Sequence, residues 1–425
     1  MQGARDTLAA MRLLPLAAAI PFFLLLSSVP PSLAQTSGDK SETGLDPAKL
    51  GTIKTRLQEL VDKGTIPGAV ALVSRHGKIA AFEAVGWQNV EDKKPMQRDS
   101  IFQIMSMTKN FTGVAAMMLV EEGKLDLRRN VEEYLPEFKG IAVEEHAGNG
   151  SPETHAPKHP PTVWQLMSHT SGLGGDPEGD LKDNPRTMRA SLKDAVTNYA
   201  HQPLKFEPGT EWSYSNMGIA TLGRIVEVVS GEEYVHFITT HILEPLGMKD
   251  TFFFAPEDRK DRIALVYKHV NGALVRSGAE ILAGDPTKFR AGAIYPAPEF
   301  GLYSCAGDLV KFYQMLLNGG DYKGRRYLSH QAVQTMTQVF TPQVEPSGWL
   351  GGTGYGLTFE IVNRPQGTLL LHSIGTFGHG GAFGTEGWID PKNDLIRILL
   401  VQLSDDASAA PRSVVMQIGE SAVIN

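Results

Sequence analysis

Apolar positions first recur with a helical period at Leu50, Ile53, Leu57, Leu60 and Val61. Asp46-Pro47 precedes them, as an N-cap with proline at the first helical position would. Two short apolar runs follow, 69–74 and 79–85, split by His76-Gly77 in the pattern of a β-hairpin. Between 106 and 122, Phe111, Val114, Ala115, Met118 and Leu119 make a broad apolar face. That predicts a buried helix stopped by Gly123. Residues 140–161 are polar and rich in Pro and Gly, and read as a surface loop. Helical patterns dominate from about 162 to 330, among them 217–229 ending at Gly231. Strand patterns return at 355–362, 368–372, 384–389 and 395–401, and 407–422 reads as a closing helix. Strands at both ends with helices between predict an α/β (α+β) fold. An antiparallel sheet flanked by helices would be built from both chain ends, with a mostly helical lobe (about 140–330) inserted and a cleft at the junction.

The first 34 residues break the pattern. Arg5 and Arg12 give a positive start, 13–26 is an uncharged apolar run, and Ser32-Leu33-Ala34 supplies the small residues of a cleavage site. This predicts a signal peptide over 1–34, a loose tail over 35–45 and one domain over 46–425. An uncleaved anchor is the alternative, but the run is short for a bilayer and is broken by Pro15 and Pro21. The expected product is secreted or periplasmic, with no stable membrane span. With 425 residues, 42% hydrophobic and 20% charged, the chain can bury one large core. A net charge of −7 gives no footprint for nucleic acid. A single cysteine, Cys305, excludes an intramolecular disulfide and a cysteine metal cluster.

The candidate chemistry lies in three short motifs. A serine hydroxyl becomes a nucleophile only when a neighbouring base takes its proton. If Ser106 opens a helix, Lys109 stands one turn later on the same face, where the helix dipole would lower its pKa. The competing reading is an N-cap serine beside a solvated lysine. Ser-x-x-Lys recurs at Ser37–Lys40, in a polar tail with nothing to fix it, and that copy is taken as chance. In Tyr214-Ser215-Asn216, a phenol beside an ammonium can be held as phenolate and move protons. Asn216 either caps the next helix or donates its amide to a substrate carbonyl. In His379-Gly380-Gly381-Ala382, the glycines let a substrate approach the backbone, and the Ala382 amide could complete an oxyanion hole with that of Ser106. A tight turn with an incidental histidine is the alternative there.

In this order and at these separations, the three motifs resemble the penicillin-recognising serine hydrolases. The nearest branch holds class C β-lactamases, D-Ala-D-Ala carboxypeptidases, D-aminopeptidases and family VIII carboxylesterases. Leu166-Met167-Ser168-His169-Thr170-Ser171-Gly172-Leu173, Glu207-Pro208-Gly209-Thr210, Glu244-Pro245-Leu246-Gly247-Met248 and Gly384-Thr385-Glu386-Gly387 extend the likeness over about 50–405. The resemblance implies a β-lactamase/transpeptidase-like fold, acylation of Ser106, and proton handling by Lys109 and Tyr214. It also implies acyl binding by Asn216 and the Ser106 and Ala382 amides. The chain departs from class C β-lactamases at His379, where they carry lysine. A mostly neutral imidazole would hold a substrate carboxylate less firmly. His169 is implied to pack near the site without acting as a base.

His146, His155 and His159 share one loop without ligand-like spacing, and His236 and His241, five apart, are not expected on one helix face. Cys305 reads as a small buried residue. No metal or cofactor is expected. The leading reading is an exported acyl-serine hydrolase acting on a small ester or D-amino-acid peptide. The alternatives are a β-lactamase, a penicillin-binding sensor without turnover, and an acyltransferase; nothing in the sequence sets the oligomeric state.

Overall fold

The structure, a computed structural model, describes residues 40–146, 152–176, 188–277, 290, 292–341, 348 and 350–424. The expected signal peptide and the start of the expected tail lie outside these residues. The rest of that tail is not loose: Lys40–Thr43 forms a helical turn and Leu45 bridges to Val423.

Helix α1 (Pro47–Asp62) starts where the apolar period does. The Asp46 carboxylate accepts from the Ala48 and Lys49 amides, and Leu50, Ile53 and Leu57 are buried. Strands β1 (Gly68–Arg75) and β2 (Lys78–Asn89) then form the hairpin, turning at His76 and Gly77 with φ of 53° and 70°. Positive φ at both positions gives a two-residue turn whose twist matches the strands.

These strands and the short β3 (Lys94–Pro95) join five from the other chain end: β4 (Thr353–Tyr355), β5 (Glu360–Val362), β6 (Phe377–Gly380), β7 (Glu386–Asp390) and β8 (Leu395–Leu400). The eight-stranded sheet runs β4-β5-β6-β7-β8-β1-β2-β3, antiparallel throughout. Its seam is β1 against β8, with Val70 opposite Leu400 and Ser74 opposite Ile396. Because strand side chains alternate, β1 is buried on both faces. Val70 and Leu72 pack with Phe111 and Phe312, whereas Ala69, Ala71 and Val73 pack with Leu50, Ile53, Val415 and Met416. The first group belongs to helices α2 (Thr108–Glu121) and α4 (Ala306–Leu317), the second to α1 and α5 (Ala409–Ser421).

Helix α2 is buried on nearly every side, and its neighbours approach closely. A Cβ on Gly113 would lie 1.9 Å from Thr358 Oγ1. Helix α3 (Asn216–Ser230) packs beside it and ends, as expected, at Gly231 with φ 79°.

Four sequence expectations need correction. The run 140–161 holds a hairpin, Val143–His146 with Pro152–His155, rather than only a loop. Residues 355–362 are not one strand: the chain turns between β4 and β5, with Thr358 at φ 66°. Residues 368–372 form no strand; Gly367–Leu369 is a 3₁₀ turn that leaves Leu370 and Leu371 60% and 48% exposed. His236 and His241 do share a face. A wide π-helical turn over Thr239–Leu243 brings both imidazoles toward Glu232, at 3.6 and 3.1 Å. No group of three His, Cys, Asp or Glu among the described residues is arranged to hold a metal ion.

Candidate active site

Ser106 does not open the α-helix. It sits in a 3₁₀ turn, Met105–Met107, that leads into α2. Positions i and i+3 eclipse in such a turn, so the expected alignment with Lys109 survives. The Lys109 amine lies 3.2 Å from Ser106 Oγ. Just before the serine, Met105 is fully buried at φ 50°, a left-handed conformation unfavourable for a non-glycine side chain.

Lys109 is wholly buried. Besides Ser106, its Nζ donates to Asn216 Oδ1 and to the Glu299 carbonyl, each at 2.8 Å. Burial lowers its pKa to about 7, against an opposing pull from Glu299 and Asp176. Loss of hydration is therefore the largest cause.

Tyr214 departs from expectation. Its phenol hydrogen-bonds Ser106, but burial pushes its pKa up, so the ring is a neutral phenol and not a phenolate. The reason is placement, since Lys109 Nζ lies over the ring face, 4.6 Å from its centroid. His169 packs 4.6 Å from the Tyr214 and Tyr355 rings, and its Nδ1 accepts the Ser215 amide at 3.1 Å. Burial keeps it neutral, and it acts as a spacer that fixes Tyr214.

Ser215, not Asn216, caps α3, its Oγ accepting from the Gly218 amide at 2.8 Å. Asn216 is thereby free to face Lys109. Its Nδ2 donates to Asp176 Oδ1 at 3.0 Å, so in this state that amide is engaged by a carboxylate.

His379 lies in β6 and is 5% exposed. Its Nδ1 donates to the Gly380 carbonyl at 2.6 Å and its Nε2 accepts from Tyr355 Oη at 2.8 Å. Both ring nitrogens are thus occupied within the protein. Burial, aided by the Lys109 charge, lowers its pKa to about 3. The imidazole is neutral at any working pH.

The turn after β6 is stapled to the serine. Thr385 Oγ1 donates to the Ile104 carbonyl at 3.0 Å, and the Gly381 amide donates to the Thr385 carbonyl at 2.7 Å. A Cβ on Gly381 would fall 2.4 Å from Ile104 O and 2.1 Å from Thr385 Oγ1, so only glycine fits. Arg412 of α5 donates to the Gly381 carbonyl at 3.2 Å and pairs with Glu386. Among the described backbone hydrogen bonds, none uses the amide of Ser106 or of exposed Ala382.

The structure therefore gathers Ser106, Lys109, Tyr214 and Asn216 at one point, with Gly381 stapled beside them and His379 behind Tyr355. Sequence reasoning missed Asp176, Glu299, Tyr355 and Arg412. Only Glu299 left a trace, as a lone carboxylate in the apolar run 297–303. Cys305 is buried, and its thiol pKa is pushed up to about 12.

The β-lactamase family model matches residues 53–417. Protein Rv1367c of Mycobacterium tuberculosis is 33% identical over 383 residues, 83% of this chain and 91% of its own length. Esterase EstB of Burkholderia gladioli is 27% identical over 416 residues, 91% of this chain and 98% of its own. Among solved structures, EstCE1, a hydrolase with promiscuous acyltransferase activity, superposes with a TM-score of 0.74 at 24% identity. It covers 89% of this chain and 99% of its own. A class C β-lactamase from Rhodobacter sphaeroides gives 0.65 at 20% identity, over 88% and 100%. These structures share the β-lactamase/transpeptidase-like fold.

Proposed function

The chain belongs to the β-lactamase family of serine hydrolases, and from that premise we propose that it is an exported acyl-serine hydrolase whose substrate is a small ester or a D-amino-acid peptide. The observation that carries this reading is the buried lysine amine 3.2 Å from Ser106 Oγ, with a pKa brought down to about 7. Near neutral pH a large share of Lys109 is the free amine, able to take the serine proton.

Ser106 Oγ attacks the acyl carbon while its proton passes to Lys109 Nζ. The carbonyl oxygen gains the negative charge and is met by the Ser106 and Ala382 amides. Collapse breaks the bond to the alcohol or amine. The departing group takes the proton back from Lys109 through the Tyr214 hydroxyl, which hydrogen-bonds Ser106. Water then attacks the acyl-enzyme with the same groups reversed, releasing the acid and restoring the Ser106 hydroxyl. Lys109, Tyr214 and the two amides do the chemistry in this scheme. Asn216 orients the lysine, Gly381 gives the turn its close approach, and His379 props Tyr355.

Two features disfavour a carboxylated substrate, which wants a cation, and so place an uncharged ester ahead of both a β-lactam and a peptide with a free C-terminal carboxylate. His379 is neutral, and Asp176 adds a negative charge beside Asn216. Export rests on the sequence of the first 34 residues. The test compares kcat/KM for p-nitrophenyl acetate and butyrate, a chromogenic cephalosporin and D-Ala-D-Ala peptides, with mass spectrometry of the acylated protein. Esters or peptides should exceed the cephalosporin, a fluorophosphonate adduct should map to Ser106, and Ser106→Ala should abolish turnover in a folded protein. An adduct on another serine, or full activity in the alanine variant, would overturn the assignment. A fastest cephalosporin would make the protein a β-lactamase, and acylation without release a sensor.

A further inference from the structure

Glu299 is 2% exposed, within the apolar run 297–303. Its backbone carbonyl accepts from Lys109 Nζ at 2.8 Å, which ties it to the base. Of its carboxylate oxygens, Oε1 accepts from Tyr295 Oη at 2.8 Å and Oε2 has no hydrogen-bond partner among the described residues. Such a carboxylate is costly to bury unless a charge compensates it. Tyr199 Oη lies 3.4 Å from Tyr295 Oη, extending the network away from the serine.

The groups that face Glu299 can be named element by element. Lys109 comes from α2, and Tyr199 and Tyr234 come from the helices Leu192–Tyr199 and Tyr234–Ile238. Tyr214, Tyr295, Arg290 and Asp176 come from loops. The four phenols are raised by burial and stay neutral. Arg290 is committed to the Gly301 carbonyl and to Gln103, and Asp176 to Asn216. Arg290 also feels the Glu299 charge, but Lys109 is the cation hydrogen-bonded to the residue, and the charges of Lys109 and Glu299 answer each other.

We propose that Glu299 is a positioning residue whose buried carboxylate governs the protonation of Lys109, and so decides the pH at which the Ser106 base is free. Its kinetic consequence rests on the acyl-serine reading above. Two pKa displacements agree with the geometry: burial raises the Glu299 carboxyl and lowers the Lys109 amine, so both change charge in the same pH range. A proton gained by one is felt by the other, and the pair titrates as a unit.

The test reads Lys109 directly. Protein labelled with 13Cε-lysine is titrated by NMR, the Lys109 signal being the one lost in Lys109→Arg. Glu299→Gln keeps the side-chain shape and the backbone carbonyl but removes the charge. Its Lys109 midpoint should fall by about one pH unit, because an ammonium without its counter-charge is harder to form. Tyr295→Phe removes the donor that favours the Glu299 carboxylate. It should move the midpoint the same way by less, and it serves if the Gln variant does not fold. The acid limb of kcat/KM should follow each shift. A Lys109 midpoint equal to wild type in Glu299→Gln, or in Tyr295→Phe should that variant stand in, overturns the proposal. A protein with no ester or peptide turnover but a shifted midpoint leaves the coupling standing and removes only the kinetic reading.

Discussion

At the scale of single residues, the site is governed by what burial does to charge. The Lys109 amine is brought down to about 7, the Tyr214 phenol is driven up, and His379 is brought down to about 3. Lys109 must be neutral to accept the Ser106 proton, so kcat/KM should rise with pH through a midpoint near 7. It should drop about tenfold per unit on the acid side, as a pH–rate profile would read. Lys109→Ala and Tyr214→Phe should each lower kcat by orders of magnitude. The double variant should lose far less than the product of the two, since both serve one proton transfer. Fully multiplicative losses would mean they act independently. For His379 the sequence suggested a mostly neutral imidazole that holds a substrate carboxylate less firmly than lysine, and an ordinary imidazole would gain charge between about pH 8 and 6. With both ring nitrogens bonded and the ring buried, no charge appears there. The cephalosporin-to-ester rate ratio should therefore stay flat across that range once each rate is divided by the shared Lys109 limb. A ratio that climbs as pH falls would show His379 titrating toward the substrate.

At the scale of elements, the site exists because three segments are pinned to one another. The 3₁₀ turn at Met105–Met107, the start of α3 and the turn after β6 meet at Ile104, Lys109 and Asn216. Two neighbouring glycines in that last turn separate packing from sequence. A methyl on Gly381 would collide with Thr385 Oγ1 and Ile104 O, whereas one on Gly380 would meet nothing nearer than 3.7 Å. Gly381→Ala should cost on the order of 1–3 kcal/mol by denaturant unfolding and also depress kcat, because overpacking moves the oxyanion donors. Gly380→Ala should stay within about 0.5 kcal/mol of wild type. Equal stability in the two variants would mean that the turn is not stapled as described. Ser106, Lys109 and Tyr214 were legible beforehand because their chemistry is local, carried by a three-residue spacing and a short motif. Asp176, Glu299, Tyr355 and Arg412 were not, because each reaches the site from an element with no spacing relation to the serine. The strand misreadings have a similar cause. Residues 368–372 form an apolar run too short for periodicity to tell an exposed turn from a buried strand, and 140–161 lacks the one-sided alternation that marks a hairpin.

At the scale of the whole molecule, both chain ends close on one sheet, and this much could be read from strand patterns at 69–85 and 384–401. What the pattern could not reveal is the ion pair behind the seam. Arg397 points from β8 into the layer under α5, on the same face as Leu395 and Leu399, whereas Ile396 and Ile398 face the layer that holds Ile104, Met105 and Met107. Its guanidinium meets Glu420 at 2.8 Å and His372 at 3.0 Å, with side-chain exposures of 0% for Arg397 and 2% for Glu420. Burial with the Arg397 charge lowers the His372 pKa to about 2, so the histidine is a neutral acceptor. Glu420, whose carboxyl burial raises to about 7, is the carboxylate in contact with the arginine, and buried Asp390 and Glu386 add their charge to it. Glu420→Ala takes away the one carboxylate in contact with the buried guanidinium among the described residues and leaves only the charges of Asp390 and Glu386 to compensate it, which should cost about 3 kcal/mol by denaturant unfolding. The double replacement Arg397→Met/Glu420→Leu removes the guanidinium with its partner, leaves Asp390 to its bonds from Lys392 and Asn393, and should recover part of that loss. Because the sheet separates this pair from Ser106, the folded fraction of either variant should keep its kcat/KM on the preferred ester. A small loss in Glu420→Ala, with no recovery in the double variant, would show that water or another group already compensates Arg397. An activity loss out of proportion to unfolding would show the sheet carrying strain from one face to the other.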